Sequence, residues 1–306
     1  MALVYRAIGL GDFLTGIPAL RAIRRALPGH RLVLATSPPL AGLVPLVGGV
    51  DEVLPTQALR PLPWSGAPPA VAVNLHGRGP ESHRVLAALR PDRLVAFGNA
   101  DAGAAGPRWR ADEHEVRRWC RLVEAELGVP APDDDLALAR PAAEPVVDGA
   151  LVVHPGAGSG ARRWPADRFA AVARRLADTG RGPVVVTGSA AETPLASAVA
   201  AHAGLPPSAV LAGRLSLTEL AALVAWAGLV VANDTGVAHL ASAYGVRSVV
   251  LFGPTPPAAW GPPEHGPHVA LWHGPGSGDP HGRLLDPALE SIQVREVLDA
   301  ADTLLP

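Results

Sequence analysis

The 306-residue chain is long enough for two ordinary domains, and its 48% hydrophobic content supplies a core for each. A formal charge of -2 with no dense basic stripe argues against nucleic acid as a partner. The single cysteine, Cys120, excludes an internal disulfide and any cysteine-built zinc site, which suits a reducing cytoplasm.

The first residues, MALVYRAIGLGDF, carry neither the basic start and apolar core of a secretory signal nor a span able to cross a bilayer, so a cytoplasmic location is expected. Residues 3–8 read as a short apolar strand. The turn Gly9-Leu10-Gly11-Asp12 opens into a helix carrying Leu14, Ile17, Leu20, Ile23 and Leu27, with Pro18 marking a second start or a kink. A second strand at 31–35 closes a βαβ unit, and further strands are expected at 52–54 and 71–75. Helices follow at about 81–89 and 113–127.

Residues 128–149 turn to Pro, Asp and Ala, and the domain linker is placed there. A second alternating run begins with the strand at 151–154. Helices are expected at 166–179, 193–202 and 218–226, and strands at 184–187, 229–231 and 248–252. The tail 291–305 has the spacing of an amphipathic helix. The expected domains are an N-terminal one over 1–140, a C-terminal one over 150–290 and a terminal helix over 291–306, all of α/β class with parallel sheets.

The most informative stretch is 229–245, LVVANDTGVAHLASAYG. A buried strand breaks at Asn233-Asp234-Thr235-Gly236 and passes directly into a helix, with His239 one turn in. Unpaired N–H groups and the helix dipole bind phosphate well at such a junction, and Gly236 permits close approach. Asp234 and Thr235 serve equally well as N-caps.

A second stretch, HPGAGSGARRWP at 154–165, ends a strand on Gly156, Ala157, Gly158 and Ser159 and then presents Arg162 and Arg163. Small residues turn backbone N–H groups toward an anion, and a guanidinium matches phosphate oxygens. The Lys-Ser/Thr ending of a Walker loop is absent. Asp12, at the carboxyl end of the first strand, reads as a general base or as a helix N-cap. Gly9-Leu10-Gly11 is an incomplete dinucleotide fingerprint, which disfavours a nicotinamide cofactor. Glu192, after the strand VVVTG, reads as a ribose ligand or a first-turn glutamate. His265, His268, His273 and His281 fall in a Gly/Pro-rich loop at irregular spacing, a poor metal pattern.

With these stretches in view, the sequence resembles glycosyltransferase family 9, the heptosyltransferase family. The resemblance lies in RAIGLGDFLTGIPALRAIRRALP, HPGAGSGARRWP and VVANDTGVAHLASAYGVRSVVLFGPT, in that order. It implies a GT-B architecture of two facing Rossmann-like domains, and a cytoplasmic, inverting, metal-independent transferase with no cofactor. The implied partners are a nucleotide-sugar donor, ADP-heptose foremost, and a glycan, glycolipid or natural-product acceptor. Asp12 matches the general base and Arg162 a basic residue near the donor phosphates, a place more often held by lysine. Glu192 matches the ribose ligand, Leu215 a position near the adenine, and Asp234, Thr235, Gly236 and His239 the donor block. The loop WHGPGSGDPHG departs from relatives that carry cysteines there. A transferase of another nucleotide sugar and a non-catalytic nucleotide-sugar-binding protein are the alternatives. Any membrane contact would be peripheral, and no basic amphipathic helix stands out to make it.

Overall fold

The computed structural model describes residues 1–274 and 278–306. It divides into two units, Met1–Ala139 and Arg140–Pro306. Residues 275–277, inside the WHGPGSGDPHG loop, lie outside the described residues.

The first unit runs β1 (Ala2–Tyr5), α1 (Leu10–Thr15), α2 (Ile17–Ala26), β2 (Leu32–Thr36), α3 (Val44–Val47), β3 (Glu52–Pro55), β4 (Val71–Asn74), α4 (Glu81–Ala87), β5 (Arg93–Val95) and α5 (Glu115–Leu127). Its five strands are parallel in the order β3-β2-β1-β4-β5. β1, β2 and β4 are buried along their whole length, as near-continuous apolar strands covered on both faces must be. The single helix expected after β1 is two helices, broken at Gly16, with Pro18 in the first turn of the second. Proline is well tolerated there, because that N–H has no partner within the helix. Strand β5 and the short α3 have no counterpart in the sequence reading. β5 is three residues long with an exposed arginine, too short to show alternation.

The second unit runs β6 (Leu151–His154), α6 (Ala166–Asp178), β7 (Val184–Val186), α7 (Thr193–Ala203), α8 (Leu217–Ala225), β8 (Leu229–Asn233), α9 (Gly236–Tyr244), β9 (Ser248–Leu251), α10 (Pro257–Trp260), β10 (His268–Leu271), α11 (Pro287–Ser291) and α12 (Val294–Leu304). The sheet is again five parallel strands, in the order β10-β9-β8-β6-β7. The C-terminal helix belongs to this unit: Val297, Ala300 and Ala301 pack in one core with Leu151, Phe169, Val231 and Leu251.

The histidine-rich segment, expected as loop, contains a strand. β10 pairs with β9 in register His268↔Ser248, and the His268 ring bonds to the Ser248 hydroxyl at 2.9 Å. His273 faces Glu296 instead, at 2.7 Å. Among the described residues no three His, Cys, Asp or Glu side chains gather as a metal site.

Each sheet has a switch point, where the chain winds outward in opposite directions from two neighbouring strands. In the first unit it lies between β1 and β4, and in the second between β6 and β8.

Candidate functional site

In the second unit the loops leaving β6 and β8 meet at the switch point. Asn233, fully buried at the end of β8, joins them: its amide donates to the carbonyls of Pro155 (2.9 Å) and Gly156 (3.3 Å), and its Oδ1 accepts the Trp164 N–H (3.1 Å). Ser159 is held from the other side by the Pro280 carbonyl at 2.7 Å. The anion loop read from the sequence is thus tethered at both ends. Trp164 is a core side chain, stacked edge-on against Phe169 and bonded to the Ile292 carbonyl.

A cavity of about 400 Å³ opens here, lined by His154, Ala157, Gly158, Arg163, Glu192 and Thr235. Glu192 forms a capping box with Ser189, accepting from its N–H and its hydroxyl, each at 2.8 Å. Burial pushes the Glu192 carboxyl up, but the Ser189 bonds, with the Arg163 charge, hold it below its ordinary value. It is therefore an anion at neutral pH, able to accept from sugar hydroxyls. His154 bonds through Nδ1 to the Thr187 hydroxyl at 2.9 Å, and burial keeps it neutral.

The two arginines divide the loop between them. Arg162 Nη1 lies 3.4 Å from the Asp234 carbonyl and 3.9 Å from its carboxylate, while Nε is buried with no hydrogen-bond partner among the described residues. Arg163 is anchored through Nε to the Ala157 carbonyl at 3.0 Å and lines the cavity. Sequence alone does not tell Arg163 from Arg162, since adjacent guanidinium groups give no clue to which faces the cavity.

Thr235 occupies the N-cap position of α9 without a side-chain capping bond, so the first N–H groups of the helix stand at the cavity's edge. Asp234 and His239 sit behind it and, with Phe252 and Trp260, line a second, much smaller recess. Gly156 and Gly236 stand beside lining residues but do not themselves line the cavity. Leu215 is half-buried in the turn before α8 and does not line the main cavity; Ala191 and Leu195 supply apolar surface there.

In the first unit, Asp12 stands in the first turn of α1, where its carboxylate reaches back to the Gly9 N–H. Burial is the main force raising its pKa, opposed by the Arg6 charge and reinforced by Glu115. Arg6 is wholly buried. It donates to the carbonyls of Asp12 and Leu75, to the Thr15 hydroxyl at 3.0 Å and to Glu115 at 3.4 Å, and lies 4.8 Å over the Trp119 ring. Glu115 also pairs with Arg118 and accepts from the Trp119 indole at 2.7 Å. This ion network supports the Asp12 turn and has no sequence signal short of the fold itself.

The glycine-rich loop with Arg162, Arg163 and the ionised Glu192 thus lies at the switch point of the second sheet, and Asp12 follows β1 at that of the first. The family model for glycosyltransferase family 9 (heptosyltransferase) matches residues 107–273, more than half of the chain. The chain belongs to glycosyltransferase family 9. It is similar to lipopolysaccharide heptosyltransferase 1 of Pseudomonas aeruginosa, 37% identical over 153 residues, a match spanning 49% of this chain and 42% of that protein. The enzyme of the same name from Salmonella typhimurium is 25% identical over 288 residues, covering 85% of this chain and 90% of that one. Among solved structures, the Escherichia coli ADP-heptose lipopolysaccharide heptosyltransferase II superposes with a TM-score of 0.78 at 20% identity, covering 99% of this chain and 98% of that one. The fold of this family 9 member is accordingly the GT-B kind, built from two Rossmann-like α/β units.

Proposed function

We propose that this family 9 protein is an inverting, metal-independent glycosyltransferase that moves heptose from ADP-heptose to a hydroxyl of a lipopolysaccharide-type glycan. The observation that carries the reading is the cavity between the β6 and β8 loops, with an ionised Glu192 beside a glycine-rich turn and two arginines. Glu192 accepts from the ribose hydroxyls. The N–H groups of residues 156–159 and of Thr235 and Gly236, with Arg162 and Arg163, meet the diphosphate.

In the reaction the acceptor oxygen forms a bond to the anomeric carbon while the bond from that carbon to the diphosphate oxygen breaks on the opposite face. The electron pair leaves with ADP and the hydroxyl proton passes to Asp12. Asp12 is suited to this, because a carboxylate with a raised pKa is the stronger base. Negative charge growing on the leaving diphosphate falls to the guanidinium groups and helix N–H groups, the work that a divalent ion does elsewhere. Asp234, an anion itself, fits a sugar-hydroxyl contact better than a phosphate contact, and His239 lies behind the same helix start. Leu215 is assigned to the edge of the adenine site.

The test is calorimetric titration with ADP, UDP and GDP, followed by transfer from ADP-heptose to heptose-deficient lipopolysaccharide in EDTA. Selective ADP binding, weakened in Glu192→Ala and Arg162→Ala, and a product of inverted anomeric configuration support the reading. Tighter binding of UDP or GDP assigns the chain to another nucleotide sugar. Binding of ADP-heptose without transfer to any glycan leaves a nucleotide-sugar-binding protein.

A further inference from the structure

We infer that His76 positions the acceptor: it is a fixed, neutral N–H donor at the end of β4 that holds a hydroxyl or ring oxygen of the acceptor sugar beside Asp12. The inference rests on the proposed transferase activity for the identity of its ligand.

Asp12 follows β1 and His76 follows β4, the two strands that flank the switch point of the first sheet. Ligands of open α/β sheets bind at that crevice. A single buried side chain ties the two positions together, since Arg6 donates both to the carbonyl of Asp12 and to that of Leu75, the residue before His76.

The imidazole itself is held on two sides. It stacks on the Tyr5 ring with centroids 4.3 Å apart and planes 4° from parallel, and the Tyr5 hydroxyl is in turn fixed by the Leu59 N–H at 2.7 Å. Its Nδ1 accepts the Ala7 N–H at 3.2 Å. In a neutral ring with an accepting Nδ1, the proton resides on Nε2. Nε2 is not among the buried unpartnered atoms and bonds to none of the described residues, so the donor is accessible at the carboxyl end of β4.

The supporting loop is built rather than slack. Asn74 Oδ1 accepts the His76 N–H at 2.9 Å, and its amide donates to the Gly77 carbonyl at 3.3 Å and the Ser82 hydroxyl at 2.9 Å. His83, wholly buried, bridges Asn74 and the Phe97 carbonyl. Gly79, at φ +75°, lets the chain pass over the His83 ring, since a Cβ there would fall 2.6 Å from Cε1.

Neutrality serves the chemistry. A positive charge in this crevice would favour the carboxylate form of Asp12 and weaken it as a base, whereas a neutral N–H orients oxygen without that effect. Burial and the Arg6 charge keep His76 neutral, with a pKa of about 4.

The test compares His76→Ala and His76→Gln with the wild type, using ADP-heptose and heptose-deficient lipopolysaccharide. The expected result is an acceptor KM raised about 10-fold in His76→Ala, the scale of one lost hydrogen bond, with the ADP-heptose KM unchanged. His76→Gln, whose amide N–H reaches the same place as Nε2, restores most of it. A soluble His76→Ala with an unaltered acceptor KM overturns the inference, because a ring that only packs would change melting temperature and not that constant. Imidazole 15N spectra of the wild type, recorded with the delipidated oligosaccharide, decide the point without turnover. A shift of the His76 Nε2 resonance supports the assignment, and an unmoved resonance at millimolar oligosaccharide overturns it. Absence of transfer by the wild type counts against the proposed function alone.

Discussion

A Cβ on Gly156 would stand 2.6 Å from Oε2 of Glu192, well inside contact distance, so the glycine of the anion loop is the space that the Glu192 carboxylate occupies. The carboxylate cannot simply retreat, because the Ser189 capping box holds it. Gly156→Ala should therefore displace Glu192 or the loop and weaken ADP binding about 10-fold or more, the scale of one or two lost polar contacts. Calorimetry on that variant, with its melting temperature as a control for folding, checks this. Unchanged ADP affinity would remove Glu192 from the donor site.

Asp12→Asn should lower turnover at least about 100-fold, the usual contribution of a positioned general base, while ADP binding stays as in the wild type. The sign of the pH effect follows from the raised pKa. The base is active only when deprotonated, so kcat/KM falls as pH drops through the Asp12 pKa, and burial places that limb above the ordinary carboxylate range. A pH–rate profile with its acid limb at or below the ordinary range would assign the base elsewhere.

Much of this arrangement is legible in the chain. The run LVVAN, with no polar residue before its end, marks a strand covered on both faces, and NDTG must break it; HPGAGSG does the same for β6. What sequence alone does not supply is the third dimension of polar contacts. Arg6 reads as one charged residue in an apolar strand end, and only the fold brings Glu115 from more than a hundred positions away to meet it. Arg163 and Arg162 are equivalent until the loop's path turns one to the Ala157 carbonyl and the other to Asp234. β10 was hidden because its alternation is four residues long and sits among glycines and prolines.

Asn233 is the residue on which the geometry of the loop after β6 depends. Its three hydrogen bonds link β8, the Pro155-Gly156 turn and Trp164 across nearly 80 positions. Asn233→Leu keeps the branched shape and leaves the carbonyls of Pro155 and Gly156 and the Trp164 N–H without these bonds, at about 1–3 kcal/mol for each group. The expected outcome is a lower denaturation midpoint together with loss of ADP binding. Retention of full stability would mean that water replaces the amide without cost.

His154 and His76 make the fold acid-sensitive. Burial depresses both in the folded state, His76 with a further contribution from Arg6, whereas in the unfolded chain they titrate near 6.5. The unfolded state then binds more protons below that value, so stability is complete above about pH 6.5 and declines as pH falls toward 4, by up to about 1.4 kcal/mol per pH unit per histidine. Thermal melts between pH 7.5 and 5 should show this decline, and His154→Gln should reduce its slope. A slope identical in wild type and variant would show that His154 titrates alike in the folded and unfolded states.

Cys120 offers a probe of the first unit by itself. It is fully buried in α5, and burial, with the charges of Asp133 and Glu124, pushes its thiol up to about 12. Thiolate is the reactive form, so the native protein should resist thiol reagents at pH 8. Modification should then proceed only when the unit opens, at a rate set by that opening and independent of reagent concentration once the reagent is in excess. Stopped-flow labelling across a denaturant series checks the expectation, and rapid second-order labelling of the native protein would show that α5 does not enclose the thiol.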